Sequence, residues 1–86
     1  MILVFHRTFK KQYKKVPFAV QSKFDERLRI FKLNMFDPLL NNHSLAGDRD
    51  GEWSINVTGD WRAVYVFNST SIVFTEIGTH DSLYKK

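Results

Sequence analysis

Six side chains that can move protons, bind phosphate or stack on a base stand at predicted strand ends and turns. They are His43, Asp60, Trp61, Arg62, His80 and Tyr84. Histidine gains and loses a proton near neutral pH, arginine offers phosphate oxygens a planar fork of donors, and an aromatic ring can stack on an unpaired base. Metal-free cleavage of RNA needs a base for the 2′-hydroxyl proton, an acid for the leaving 5′-oxygen and cations for the phosphorane charge. This set can supply all three, although surface histidines and a core tryptophan are the structural alternatives.

Other classes of chemistry find no matching motif. The four glycines form neither G-x-x-x-x-G-K nor G-x-G-x-x-G, so phosphoryl transfer from a nucleotide is not indicated. A G-x-S-x-G nucleophile elbow is missing, and a chain without cysteine has no thiolate nucleophile, disulfide or finger-type zinc site. Asp48, Asp50 and Glu52 alternate but lack the remaining ligand positions of a calcium loop. We therefore predict no metal site and no cofactor.

Positive charge is concentrated in the first part of the chain. Residues 1–36 hold nine Lys or Arg against two acids, a net charge of +7, whereas residues 37–86 hold four against seven, a net −3. A basic half of this kind suits a phosphate backbone or an acidic protein partner, and the alternative is the solvated face of a helix. The candidate contacts to RNA or the ribosome are Lys10, Lys11, Lys14 and Lys15.

The elements that must position these residues begin with one strand and a helical region. Residues 1–5 are rich in β-forming types and predict an opening strand. Apolar residues then recur at helical spacing over residues 7–16 and again over residues 18–35, with Pro17 between them. Because a proline disfavours the helical conformation of the residue before it, these stretches form two antiparallel helices or one kinked helix.

The second half of the chain alternates like a β-meander. Asp37-Pro38 ends the helical pattern, and residues 39–51 carry the turn residues of a loop. Strands are predicted over residues 52–57, 61–67 and 71–77. The order β-α-α-β-β-β predicts an α+β two-layer sandwich, in which an antiparallel sheet packs on the pair of N-terminal helices and residues 1–5 add a strand. At this length we expect one domain over residues 1–86.

Strand register decides which polar groups meet. A three-residue turn at residues 58–60 places Arg62 opposite Asn56 and keeps one face apolar, whereas a one-residue slip does not. In the second hairpin, a three-residue loop places Arg62 opposite Glu76 and a four-residue loop does not. Glu76 then has two interpretations: an exposed ion pair with Arg62 across the sheet, or a general base that also holds Arg62 for phosphate.

Three segments carry a family resemblance. They are the loop His43-Ser-Leu-Ala-Gly, the turn and strand Gly59-Asp-Trp-Arg-Ala-Val-Tyr, and the tail Glu76-Ile-Gly-Thr-His-Asp-Ser-Leu-Tyr-Lys. With the length, the element order and the basic first helix, they resemble the RelE/YafQ-like toxins of bacterial type II toxin–antitoxin systems over nearly the whole chain. The resemblance implies an mRNA interferase that cuts the message in the ribosomal decoding site and is silenced by a cognate antitoxin. A cytoplasmic location is expected separately, because the chain has no cysteine and no signal-peptide core.

The resemblance also implies roles for individual residues. His43 and His80 match the acid/base histidines, Asp60 orients, Arg62 binds phosphate, and Tyr84 packs or contacts RNA. Trp61, Asn56 and Glu76 occupy positions on the substrate side. Two departures weaken the match, because Asn56 stands where the YafQ-like branch has a histidine and Glu76 replaces an arginine. The lysines of the RelE branch are also replaced, by Ser54 and Asn56, and fewer cations stabilise a phosphorane less well.

Two further function classes stay open beside the ribonuclease. One is a catalytically weak or inert binding protein on the same scaffold, either a ParE-like gyrase inhibitor or a partner of antitoxin and DNA. The other is a small basic RNA-binding domain. An acidic antitoxin is expected on the helix pair and a sheet edge, where it neutralises the four lysines of the first helix, and operator DNA is expected only through the antitoxin. No apolar run is long enough to span a membrane, so no membrane partner is expected.

Overall fold

The computed structural model describes residues 2–84, which form a five-stranded sheet with helices on both faces. The strands are β1 (Ile2–Phe5), β2 (His43–Ser44), β3 (Trp53–Asn56), β4 (Trp61–Asn68) and β5 (Ser71–Thr79). The helices are α1 (Arg7–Lys15), α2 (Phe18–Leu33) and α3 (His80–Tyr84), and 3₁₀ turns lie at Pro38–Leu40 and Gly47–Arg49. The sheet order is β1-β5-β4-β3-β2. The predicted α+β fold class is therefore confirmed.

The first strand pairs in parallel with β5, from Ile2 opposite Ser71 to Phe5 opposite Phe74. The sheet is therefore mixed: the predicted antiparallel meander is confirmed, and the extra strand, whose direction the sequence left open, is parallel to its neighbour. The reason is the path of the chain: the helix pair carries it to the far edge of the sheet, and three antiparallel reversals bring β5 back beside β1 in the same direction. Met1, which was predicted to open this strand, lies outside the described residues.

The helical region forms two separate helices rather than one kinked helix. Val16 is extended, with φ −73° and ψ 141°, because Pro17 follows it. Both helices cover the same face of the sheet, where Phe9, Phe24 and Phe31 join the buried core. Among residues 2–84, no helix combines the length and the hydropathy that crossing a bilayer requires.

The first hairpin has the predicted register, with Asn56 opposite Arg62 and Ile55 opposite Ala63. The second hairpin differs. Its turn is two residues long, Ser69 adopts a positive φ of 57°, and a bulge at Val64/Tyr65 shifts the pairing by one residue. Arg62 consequently lies opposite Gly78, and the alternative that placed it opposite Glu76 is wrong.

The sheet face turned away from α1 and α2 is called here the outer face. Because neighbours in a strand alternate in direction, it receives every residue beside a core position. Its central members are Ser54, Asn56, Arg62, Val64, Glu76 and Gly78. Ser54 and Val64 are fully buried there because α3 folds back over them. Sequence reasoning treated residues 80–84 only as a motif and did not predict this helix.

Gly78 lets α3 approach the sheet. A Cβ at this position would lie 2.8 Å from Ser82 Oγ and 3.1 Å from Leu83 Cδ2. We expect Gly78→Ala to displace α3 and to break the contact between Tyr84 and Ser54, with a stability loss of only about 1 kcal/mol because the helix is short and terminal. Amide hydrogen exchange of residues 80–84 measures the displacement. Gly59→Ala is the matched control, because its added Cβ meets nothing within 4 Å; equal exchange rates in both variants would contradict this role.

Candidate active site on the outer face

His43 lies on the short edge strand β2, directly opposite Ser54. Its Nδ1 is 2.8 Å from the carbonyl oxygen of Asn41, which is turned toward the ring by a left-handed backbone conformation with φ 46°. A carbonyl oxygen only accepts, so the proton of the neutral ring is on Nδ1 and the lone pair is on Nε2. The imidazole is exposed and is oriented to accept a proton through Nε2.

The loop that carries His43 is fixed by its neighbour Asn42. The Asn42 amide donates to the Met35 carbonyl at 2.8 Å, and its Oδ1 accepts a hydrogen bond from the Tyr65 hydroxyl at 2.9 Å. Tyr65 is fully buried, and burial raises the pKa of its hydroxyl although the bond to Asn42 opposes the rise. The hydroxyl therefore stays protonated as a donor, and a core residue sets the position of the edge strand.

This buried tyrosine predicts a pH-dependent contribution to stability. Because its pKa is raised in the folded state, its contribution is full below about pH 10, the ordinary tyrosine value, and is lost as the pH rises through the raised value. Tyr65→Phe should cost about 1 kcal/mol at pH 7 through the lost bond to Asn42. Urea unfolding should show the gap between wild type and variant narrowing above pH 10; free energies that stay parallel would contradict the prediction.

Tyr84 links His80 to Ser54, the strand partner of His43, across the outer face. Its hydroxyl donates to Ser54 Oγ at 2.6 Å, and its ring meets the His80 ring edge to face at a centroid distance of 4.8 Å. The backbone N–H of His80 donates to the Asp60 carbonyl at 2.8 Å, which anchors the start of α3 to the turn between β3 and β4. His80 thus contacts Tyr84 directly, while His43 is the strand partner of the serine to which Tyr84 donates.

Arg62 fastens the turn that holds His80. Its guanidinium donates to the carbonyl oxygens of Thr58 at 2.9 Å, Trp61 at 3.0 Å and Gly59 at 3.2 Å. Those bonds use three of the five N–H groups of a guanidinium. The structure therefore gives Arg62 a structural task at the same end of the sheet as His80, with donors to spare among the described contacts.

Asp60 and Trp61 lie at this turn but differ in placement. Asp60 is exposed and holds His80 through its backbone carbonyl, whereas the carboxylate beside the His80 Nδ1 is that of Asp81, at 3.5 Å. Trp61 packs against the hydrophobic core, because it alternates with the outward-facing Arg62. Its placement corresponds to the core alternative and not to a base-stacking platform on the outer face.

Glu76 pairs with Arg49, and the predicted ion pair with Arg62 is wrong. The Arg49 Nη2 lies 2.8 Å from both Glu76 Oε1 and Glu52 Oε1. The predicted partner fails because the bulge moves Glu76 opposite Val64. Burial opposes the charge of Arg49, but the hydrogen bond and charge of Glu76, aided by Glu52, outweigh it and raise the pKa of the guanidinium. Sequence reasoning missed Arg49, although its i, i+3 spacing to Glu52 was a readable signal.

Asn56 has an unsatisfied acceptor on the outer face. Its Oδ1 is buried and accepts no hydrogen bond from residues 2–84. A buried acceptor without a donor costs about 1–3 kcal/mol of stability. Within the same residues, no group of three or more His, Cys, Asp or Glu side chains is arranged to hold a metal ion.

The four lysines of α1 are all exposed, but they belong to the helix side of the sheet and not to the outer face. Two of them, Lys10 and Lys14, border a groove of about 460 Å³ between α1 and α2. Aromatic and aliphatic side chains form its floor: Phe5, Phe9, Tyr13, Phe24 and Leu28. The structure therefore separates the basic surface from the histidine site.

Known proteins match both the sequence and the fold. The family model described as a bacterial toxin of type II toxin–antitoxin systems, YafQ, matches residues 1–85. A comparison with curated proteins finds no match. YafQ from Escherichia coli strain BL21(DE3) is 19% identical with a TM-score of 0.80, covering 95% of this chain and 96% of its own. The YoeB/ParE toxin from Agrobacterium tumefaciens is 24% identical with a TM-score of 0.76, covering 93% and 99%.

A third solved structure adds a complex. The Escherichia coli DinJ-YafQ toxin–antitoxin complex contains a chain that is 20% identical, with a TM-score of 0.77 and coverage of 95% of this chain and 94% of its own. These structural matches establish a RelE/YafQ-like toxin fold. Because the family model extends over almost every residue, the chain belongs to the YafQ family of bacterial toxins of type II toxin–antitoxin systems.

Proposed function

We propose that the chain is a cytoplasmic, ribosome-dependent mRNA endoribonuclease that needs no metal and is neutralised by a cognate antitoxin. The observation that carries this proposal is a row of groups on the outer face: the His80 ring packs on Tyr84, Tyr84 bonds to Ser54, and Ser54 is the strand partner of His43. Family membership supports a toxin, and the DinJ-YafQ complex supports an antitoxin partner. Two imidazoles on one face can act as the general base and the general acid of RNA cleavage, and this is the reaction we propose.

In the proposed reaction, His43 is the general base. Its Nε2 accepts the 2′-hydroxyl proton, the 2′-oxygen attacks the adjacent phosphorus, and the bond from phosphorus to the 5′-oxygen breaks. His80, entering as an imidazolium, gives its proton to the leaving 5′-oxygen. The products are a 2′,3′-cyclic phosphate and a 5′-hydroxyl end. The hydrogen bond from His43 Nδ1 to Asn41 supports this division of roles, because it leaves Nε2 as the accepting atom.

Two outer-face groups are suited to the phosphate and the sugar. Arg62 keeps two N–H donors beyond its three bonds to the turn, and these can meet phosphate oxygens. Asn56, opposite Arg62 on the same face, is the second proposed contact to the nucleotide. Asp60 acts through its carbonyl by holding the first residue of α3.

A second candidate is a binding protein with weak or no catalysis. The observation that favours it is the pair of carboxylates, Glu52 and Glu76, on a single guanidinium in the candidate site. This cluster has a net charge of −1 and repels a phosphodiester instead of stabilising it. Expression without the antitoxin separates the two. Growth arrest with codon-positioned mRNA cuts supports the nuclease, whereas inhibited supercoiling with intact mRNA supports a ParE-like inhibitor.

The antitoxin is proposed to occupy the groove between α1 and α2, with acidic side chains near its lysines and apolar side chains on its floor. Lys10→Glu with Lys14→Glu should weaken antitoxin binding more than tenfold, because both residues border the groove, as calorimetry would measure. Lys11→Glu with Lys15→Glu is the matched control, since it makes the same charge change on the same helix. Equal losses in both double variants would show that only the net charge of the helix matters.

A further inference from the structure

The helix α3 depends on its neighbours for its position. It has five residues, far fewer than an isolated helix needs for stability in water. At its start, the His80 N–H donates to Asp60 and the Ser82 N–H donates to Thr79 Oγ1 at 3.1 Å. Its other end carries Leu83 and Tyr84, which must be held against the sheet by side chains from elsewhere.

Arg49 supplies that contact. Its Nη1 donates to the Leu83 carbonyl at 3.1 Å, and its Cζ lies 5.6 Å from the centroid of the Tyr84 ring. The first contact satisfies a carbonyl at the C-terminal end of α3, where a cation is favourable, and the second is within cation–π range. One guanidinium thus fixes both the backbone and the aromatic ring at the end of α3.

The guanidinium is itself held in a fixed orientation. Glu76 on β5 and Glu52 just before β3 both accept from its Nη2 at 2.8 Å, which turns Nη1 toward α3. The side chain of Arg49 is only 25% exposed, so these ion pairs are shielded from water more than ordinary surface pairs. This arrangement gives Glu76 a structural role in the proposed phosphate site, because Glu76 orients Arg49.

We propose that Arg49 is a positioning residue for RNA cleavage, acting through Leu83 and Tyr84 to set the His80 imidazole. The path is short, because the Tyr84 ring that Arg49 covers is the ring that packs edge to face on His80. This inference rests on the proposed function, since it assigns Arg49 to the same reaction. Loss of the Arg49 contacts leaves both histidines in the chain but misplaces His80. A misplacement of about 1 Å can lower the rate by about 10²-fold.

Arg49→Lys is the informative substitution. Lysine keeps the charge, but its single ammonium cannot reproduce the planar fork that reaches two carboxylates, a carbonyl and a ring together. Arg27→Lys is the matched control: Arg27 is also partly buried, pairs with Glu26 and donates to the Val57 carbonyl, but it belongs to α2 on the helix side. Glu76→Gln removes one carboxylate and keeps the side-chain shape.

The test combines kinetics on programmed ribosomes with NMR of His80. We expect Arg49→Lys to lower kcat at least tenfold with KM changed less than about threefold, Glu76→Gln to fall between it and wild type, and Arg27→Lys to match wild type. The His80 ring protons, shifted by the Tyr84 ring, should move toward free-histidine positions in Arg49→Lys only. Unchanged kcat and unchanged His80 signals, even with a lower melting temperature, would overturn the proposal.

The two failures can be told apart. If the wild type leaves mRNA intact, the proposed function fails, whereas the His80 signals still report whether Arg49 sets the geometry of α3. If the wild type cleaves and Arg49→Lys cleaves equally fast, the nuclease stands and the positioning role is refuted.

Discussion

Replacing His80 with alanine should lower the rate of mRNA cleavage on programmed ribosomes by about 10²- to 10⁴-fold, the range of general acid–base catalysis. In the proposed reaction His80 is the acid for the leaving 5′-oxygen, and this substitution removes it. The fold should hold, because His80 is exposed and its anchoring bond to Asp60 uses the backbone N–H, which alanine keeps. Single-turnover kinetics measure the cleavage rate, and the melting temperature shows whether the fold holds.

The control for His80→Ala is His6→Asn. His6 caps α1 by accepting from the Thr8 N–H, and asparagine at this position can do the same, so the change removes an exposed imidazole far from the outer face. We expect cleavage by His6→Asn to equal that of wild type. Cleavage or toxicity that survives His80→Ala would reject the assignment of an acid to this residue.

Replacing His43 with alanine should reduce cleavage over the same range of about 10²- to 10⁴-fold, because it removes the proposed general base. The pH dependence separates the two histidines. In wild type the rate should be bell-shaped, since a base must be deprotonated and an acid protonated at once. His43→Ala should lose the rise on the acidic side, and His80→Ala the fall on the alkaline side.

The comparison between these variants also tests which histidine is the acid and which is the base. If His80→Ala flattens the acidic side and His43→Ala the alkaline side, the roles of acid and base are exchanged. The structure favours His43 as the base, because the carbonyl of Asn41 binds its Nδ1 and leaves Nε2 as the accepting atom. Profiles in which both variants keep a full bell would exclude both histidines from proton transfer.

Much of the fold could be predicted because its signals are local. Helical spacing and Pro17 indicated the helix pair, and the alternation around Ile55 was sufficient for the register of the first hairpin, since a slip would turn a buried face outward. The parallel pairing of β1 with β5 has no such local signal. It joins residues at opposite ends of the chain and depends on the path of everything between them.

The candidate site was less predictable because its contacts also join residues that are far apart in the sequence. A bulge at Val64/Tyr65 and a two-residue turn decide that Glu76 meets Arg49 instead of Arg62, and neither feature has a distinct signature in the sequence. The helix α3 has only five residues, too few to show helical periodicity in the sequence. Gly78, which was visible as a glycine, acquires its meaning only once α3 lies over it.

The most direct test of a ribonuclease on the outer face is an end-group analysis of mRNA after incubation with purified protein and programmed ribosomes. We expect codon-positioned cuts that leave 2′,3′-cyclic phosphate and 5′-hydroxyl ends, with the cuts reduced by about 10²- to 10⁴-fold in His80→Ala and His43→Ala. Ends bearing a 5′-phosphate, or a message left intact by wild-type protein that still arrests growth, would contradict it.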